Sequence, residues 1–83
     1  MQTRLLKIAN PRGLHARACD RIVAIAKSCR CNLFLVRNGR RASARNIFAV
    51  MMMTATIGAT VRIEAEGPDE AVAIREIAAL FHD

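Results

Sequence analysis

The dipeptide Asn38-Gly39 constrains this chain more than any other local feature. It lies between two extended runs, residues 31–37 and 40–43, and both central residues of the turn that joins two twisted strands need positive φ, which asparagine and glycine tolerate. A hairpin is therefore expected there. A further strand is expected over residues 2–8, with Leu6 and Ile8 on one face and Leu5 and Lys7 on the other. Residues 60–66 alternate cleanly, with Val61, Ile63 and Ala65 inward and Arg62, Glu64 and Glu66 outward. Helical spacing of Ala18, Cys19, Ile22, Val23, Ile25, Ala26 and Cys29 predicts a helix over 16–28. Asn46 is a plausible N-cap for a short apolar helix over 47–53, and Gly67-Pro68-Asp69-Glu70 opens a last helix with Ile74, Ile77, Ala78 and Phe81 as its stripe. The order is β-α-β-β-α-β-α, without internal repeat, linker or low-complexity tract. It predicts an α+β fold in which one four-stranded, antiparallel-rich sheet carries three helices on one face.

With 83 residues the chain has room for a single domain, 1–83, and one core, which argues against a large catalytic cleft. Thirteen Lys and Arg against seven Asp and Glu give a net charge of +6, which favours acidic partners: protein surfaces, phosphorylated groups or nucleic acid. Nucleic acid is the weakest of these, because Phe34, Phe48 and Phe81 are the only aromatic residues and form no stacking platform. No segment has the length of a signal peptide core or a membrane span, so a cytoplasmic protein without membrane insertion is expected. Cys19, Cys29 and Cys31 are odd in number and lie in or beside regular elements, so reduced thiols are expected. A zinc site built from them and His15 is disfavoured, since a C-x-C pair at a helix exit is not the usual ligand spacing, and no metal is expected. Leu5, Phe34 and Val36 share the outer side of the sheet and are expected to leave an apolar patch there.

The stretch Asn10-Pro11-Arg12-Gly13-Leu14-His15-Ala16-Arg17 carries the chemistry. Pro11 and Gly13 punctuate the end of the first strand and set His15 at or just before a helix N-terminus, where backbone N–H groups lack intrahelical partners and the dipole favours an anion. Arg17 adds a planar guanidinium suited to phosphate oxygens. A neutral imidazole is a competent nucleophile near pH 7 and forms a labile N–P bond, while the backbone N–H groups of Ala16 and Arg17 can receive phosphoryl oxygens.

Gly13-Leu14-His15-Ala16-Arg17, the later Gly39-Arg40-Arg41-Ala42-Ser43-Ala44-Arg45-Asn46-Ile47-Phe48 and the closing Glu66-Gly67-Pro68-Asp69-Glu70 closely resemble the histidine-containing phosphocarrier (HPr) family of the bacterial phosphotransferase system, over essentially the whole chain. The resemblance implies an open-faced β-sandwich and a stoichiometric carrier rather than an enzyme, with no cofactor and no partner but other proteins. It implies that His15 is phosphorylated on Nδ1 by phosphoenolpyruvate-charged enzyme I and passes the group to an enzyme IIA-type acceptor. It further implies a monomer whose docking surface surrounds the histidine: Arg12, Arg21, Ala24, Lys27, Arg45, Ile47, Phe48, Met51 and Met52. An apolar centre with a basic rim suits several acidic partners in turn.

Three positions depart from the family pattern. Ala18 stands where proline is usual, Asp20 brings a carboxylate that can compete for Arg17 or Arg21, and Asn46 replaces the phosphorylatable serine of regulated members. The alternative reading is an HPr-like regulatory protein whose His15 phosphorylation is sensed by a partner enzyme or regulator, without sugar transport.

Overall fold

Asn38 (φ 50°) and Gly39 (φ 79°) both take positive φ, and the hairpin forms where the dipeptide requires it. The protein is described by a computed structural model that covers every residue except Thr54, Ala55 and Asp83. Its elements are β1 (Gln2–Lys7), α1 (Ala16–Ser28), β2 (Asn32–Arg37), β3 (Arg40–Ser43), α2 (Ile47–Met51), β4 (Thr60–Glu66) and α3 (Glu70–His82). The strands form one antiparallel sheet in the order β1-β4-β2-β3. The strand with the cleanest alternation, β4, is flanked on both sides: Ile63 lies opposite Arg4 of β1 and Leu35 of β2.

One face of the sheet meets the helices. Val61, Ile63 and Ala65 of β4 join Leu33 and Leu35 of β2 against Ile22 and Ala26 of α1, Val50 of α2, and Ile74, Ile77 and Phe81 of α3. Apolar burial of this kind contributes roughly 1.5–3 kcal/mol per large side chain. The other face is open, as expected, but its apolar residues do not merge into one patch. The Arg41 guanidinium lies 3.7 Å from the centre of the Phe34 ring and its Nε donates to Glu64 Oε1 at 3.0 Å, so a charged group roofs the aromatic one. Leu5 remains 69% exposed beside Arg62.

Three element ends differ from the sequence expectation. β1 stops at Lys7, the last residue paired with β4, although Ile8 still donates to Ala59 O beyond it. β2 begins at Asn32, and α2 ends at Met51, where Met53 N–H turns back to Val50 O in a tighter bond.

The cysteines are a correction. Cys19 is free and buried, but Cys29 and Cys31 are joined in a disulfide rather than reduced, because the exit of α1 brings their Cα atoms to 5.4 Å. The same corner is closed from the far end of the sequence. Gly67 (φ +144°) packs so closely on it that a β-carbon would strike Arg30 O and Cys31 Cα. Asp69 Oδ2 accepts the Arg30 backbone N–H at 2.8 Å, and that bond, together with the Arg30 side chain, holds the Asp69 carboxyl below its ordinary pKa.

Candidate functional site

Between β1 and α1 the chain turns through Gly13 (φ 64°), whose N–H bonds to Asn10 O at 2.9 Å while His15 N–H bonds to Gly13 O at 3.0 Å. This turn sets His15 at the N-cap of α1 in an extended conformation, φ −82° and ψ 172°. The first helical bond then runs from Cys19 N–H to His15 O at 3.0 Å. The N–H groups of Ala16, Arg17 and Ala18 consequently precede the reach of the intrahelical ladder. No side chain among the described residues caps them either: His15 makes no capping bond, and no acidic residue sits in the first turn. The positive end of a 13-residue helix is thus open beside an imidazole.

The ring is held from below by a residue that sequence reasoning had not singled out. Asn10 Nδ2 lies 3.4 Å from His15 Nε2, while Asn10 Oδ1 accepts the Arg12 backbone N–H at 2.9 Å. Asn10 is buried, and its backbone N–H reaches Phe81 O at the end of α3. A buried asparagine before a turn was the only available signal, and its aim at His15 depends on the turn itself.

Asn10, Pro11, Arg12, His15, Arg17, Ala18, Arg21 and Leu80 line a cleft of about 340 Å³. The structure therefore brings together four of the expected residues: His15, Arg17, Arg12 and Arg21. Ala18 lies on the wall of this cleft, and none of the ion pairs among the described residues involves Asp20. Beneath the turn, Cys19 Sγ faces Leu14 O at 3.8 Å. Burial, and secondarily the Asp20 charge, hold that thiol above its ordinary pKa.

The rest of the expected docking residues do not line this cleft. Ala24 and Lys27 are exposed further along α1, and on α2 Phe48 is 76% exposed, Met52 62% and Met51 46%, whereas Ile47 is half-buried and Val50 fully buried. The apolar run of α2 divides between core and surface, as its length required. Arg45 belongs partly to the scaffold, since its Nε donates to Ala26 O of α1 at 3.3 Å. Met52 lines a second cleft with Arg40 and Arg41. Asn46 caps α2 as expected, its Oδ1 accepting from Phe48 N–H at 3.1 Å and Ala49 N–H at 3.2 Å. No helix among the described residues is long and apolar enough to cross a membrane.

A family model described as the PTS HPr component phosphorylation site matches residues 2–83. The chain belongs to the HPr family. A phosphocarrier protein HPr of Cupriavidus necator is 42% identical over 74 residues, covering 89% of this chain and 83% of its own length. Another, of Treponema pallidum, is 35% identical over 83 residues, covering 100% and 94%. Among solved structures, an HPr from Thermoanaerobacter tengcongensis superposes with a TM-score of 0.89 at 28% identity, covering 98% of this chain and 91% of that one. The α+β architecture and element order read from the sequence are those of HPr structures. The chain is an HPr-type phosphocarrier of the phosphotransferase system.

Proposed function

We propose that His15 accepts a phosphoryl group on Nδ1 from phosphoenolpyruvate-charged enzyme I and delivers it to an enzyme IIA-type acceptor. The observation that carries this reading is the uncapped helix N-terminus beside His15, in a cleft with three arginines. With Nε2 facing Asn10, Nδ1 is the ring nitrogen left to a donor. Its lone pair attacks phosphorus, and the bond to the donor breaks with its electron pair returning to the donor. The oxygens that spread charge in this loose transition state find the N–H groups of Ala16 and Arg17 and the Arg17 guanidinium.

Docking is assigned to the exposed apolar centre of Phe48 and Met51 with the basic rim of Arg12, Arg21, Lys27 and Arg45. A net charge of +6 steers such a surface to acidic partners. Incubation with enzyme I and phosphoenolpyruvate should add one acid-labile phosphoryl group by intact mass. Incorporation into His15→Ala would overturn the assignment, and incorporation mapped to His82, exposed at the end of α3, would relocate it.

A further inference from the structure

Asn10 is the buried polar side chain among the described residues, 8% exposed, and its amide has a defined orientation. The Arg12 backbone N–H 2.9 Å away can only donate, so the atom facing it is the carbonyl oxygen and the atom facing His15 is the NH2 nitrogen. An NH2 group offers hydrogens and no lone pair. At 3.4 Å it fits an imidazole whose Nε2 holds a lone pair, and it sets hydrogen against hydrogen when Nε2 is protonated. Main-chain bonds of Asn10 to Phe81 O and from Gly13 N–H keep the residue from turning to suit the ring.

We infer that Asn10 is a positioning residue that opposes a proton on Nε2 of His15 and thereby slows loss of the phosphoryl group to water. This deepens the carrier reading above and rests on it. When Nδ1 attacks, the ring is the tautomer with its proton on Nε2, the one the Asn10 amide disfavours, so the contact trades some readiness to accept for a longer-lived product. Formation of the N–P bond leaves a phosphoimidazolium, whose Nε2 proton passes to water. The product is a neutral phosphoimidazole with a bare Nε2, the state that the Asn10 amide matches. Hydrolysis needs that proton back: with Nε2 protonated, the electron pair of the breaking N–P bond returns to Nδ1 of a neutral imidazole rather than an imidazolate, while a water oxygen bonds to phosphorus. Opposing the proton prolongs the life of the phosphoryl group until an acceptor docks.

The test uses the whole chain with 15N-labelled histidine. In the unphosphorylated protein the ring shifts should report a bare Nε2 and a proton on Nδ1. Asn10→Asp keeps the acceptor for Arg12 N–H but replaces the donor facing the ring by a second acceptor, so the tautomer should reverse. The wild-type protein and Asn10→Asp are then charged with phosphoramidate, a non-enzymatic phosphoryl donor. The phosphoryl half-life of Asn10→Asp at the same pH should be shorter by roughly tenfold, the scale of one hydrogen bond. A proton on Nε2 in the wild-type protein overturns the inference without recourse to any variant, as do equal half-lives for wild type and Asn10→Asp. If the tautomer reverses in a protein that enzyme I does not charge, the role of Asn10 stands and the donor assigned above falls.

Discussion

The first two helices begin in opposite ways. At α2, Asn46 occupies the N-cap and its side chain takes up the N–H groups of Phe48 and Ala49. At α1, His15 occupies the N-cap and takes up none. A side-chain cap contributes about 1 kcal/mol, so α1 forgoes stabilisation of that size. What it retains is a set of unspent donors beside a nucleophile. The five-residue α2 needs its cap, whereas the 13-residue α1 is anchored along its length by Cys19, Ile22 and Ala26 and tolerates the omission.

Exchanging the two kinds of cap should have the largest effect. His15→Ser should abolish phosphoenolpyruvate-dependent phosphorylation, read by intact mass, while raising the free energy of unfolding in urea by about 1 kcal/mol as the hydroxyl supplies the missing cap. A variant no more stable than wild type would mean that the donors of α1 are already occupied. Next, Arg17→Ala should slow single-turnover transfer from enzyme I by on the order of 10²-fold with little change in affinity, the behaviour of a group that acts on transition-state charge. Phe48→Ala should do the reverse, weakening docking by about tenfold in titration calorimetry and leaving the transfer step near wild type.

A smaller effect is expected at the capped helix. Asn46→Ala should cost about 1 kcal/mol of stability and leave His15 competent. Asn46→Ser should keep the cap and restore a hydroxyl to a position where an ATP-dependent kinase can add a charge of about −1.5 to −2 next to Phe48. The wild-type chain should show no kinase-dependent inhibition. Inhibition traced by peptide mapping to Ser43 or Ser28 would show that such control has moved rather than vanished.

The smallest effect concerns the far end of α1. Because the folded pKa of Asp69 is lowered by Arg30, its contribution to stability is fully present above the ordinary carboxylate pKa of about 4 and is lost as pH falls through the lower folded value. The melting-temperature gap between wild type and Asp69→Asn should therefore narrow in acid. A gap constant from neutral pH downward would remove the carboxylate from the account.

The parts of the fold that depend on near neighbours were legible in the sequence. Asn38-Gly39 announces its turn because the backbone demand falls on two adjacent residues, and residues 60–66 announce a half-buried strand because side chains alternate. Asn46 reads as a cap for the same reason. The disulfide was not legible, since the corner that holds Cys29 and Cys31 is shaped partly by Gly67 and Asp69, nearly forty residues later. The site was legible in its ends and not in its middle. His15 and Arg17 follow from their place at the start of a helix, and Arg12 and Arg21 fall into the same cleft. Asn10 touches the ring only because the chain doubles back through Gly13, and the direction of its amide is set by a backbone N–H that no side-chain pattern encodes.

The strand order leaves β1 and β3 with unpaired outer rims, and such rims are where sheets from separate chains fuse into larger aggregates. β3 is only four residues long, and two of them are Arg40 and Arg41. A second copy arriving antiparallel at this rim would crowd two arginines from each copy along one short edge, and charged edge residues of this kind oppose strand addition. The residues that close the hairpin therefore also fence this rim with charge.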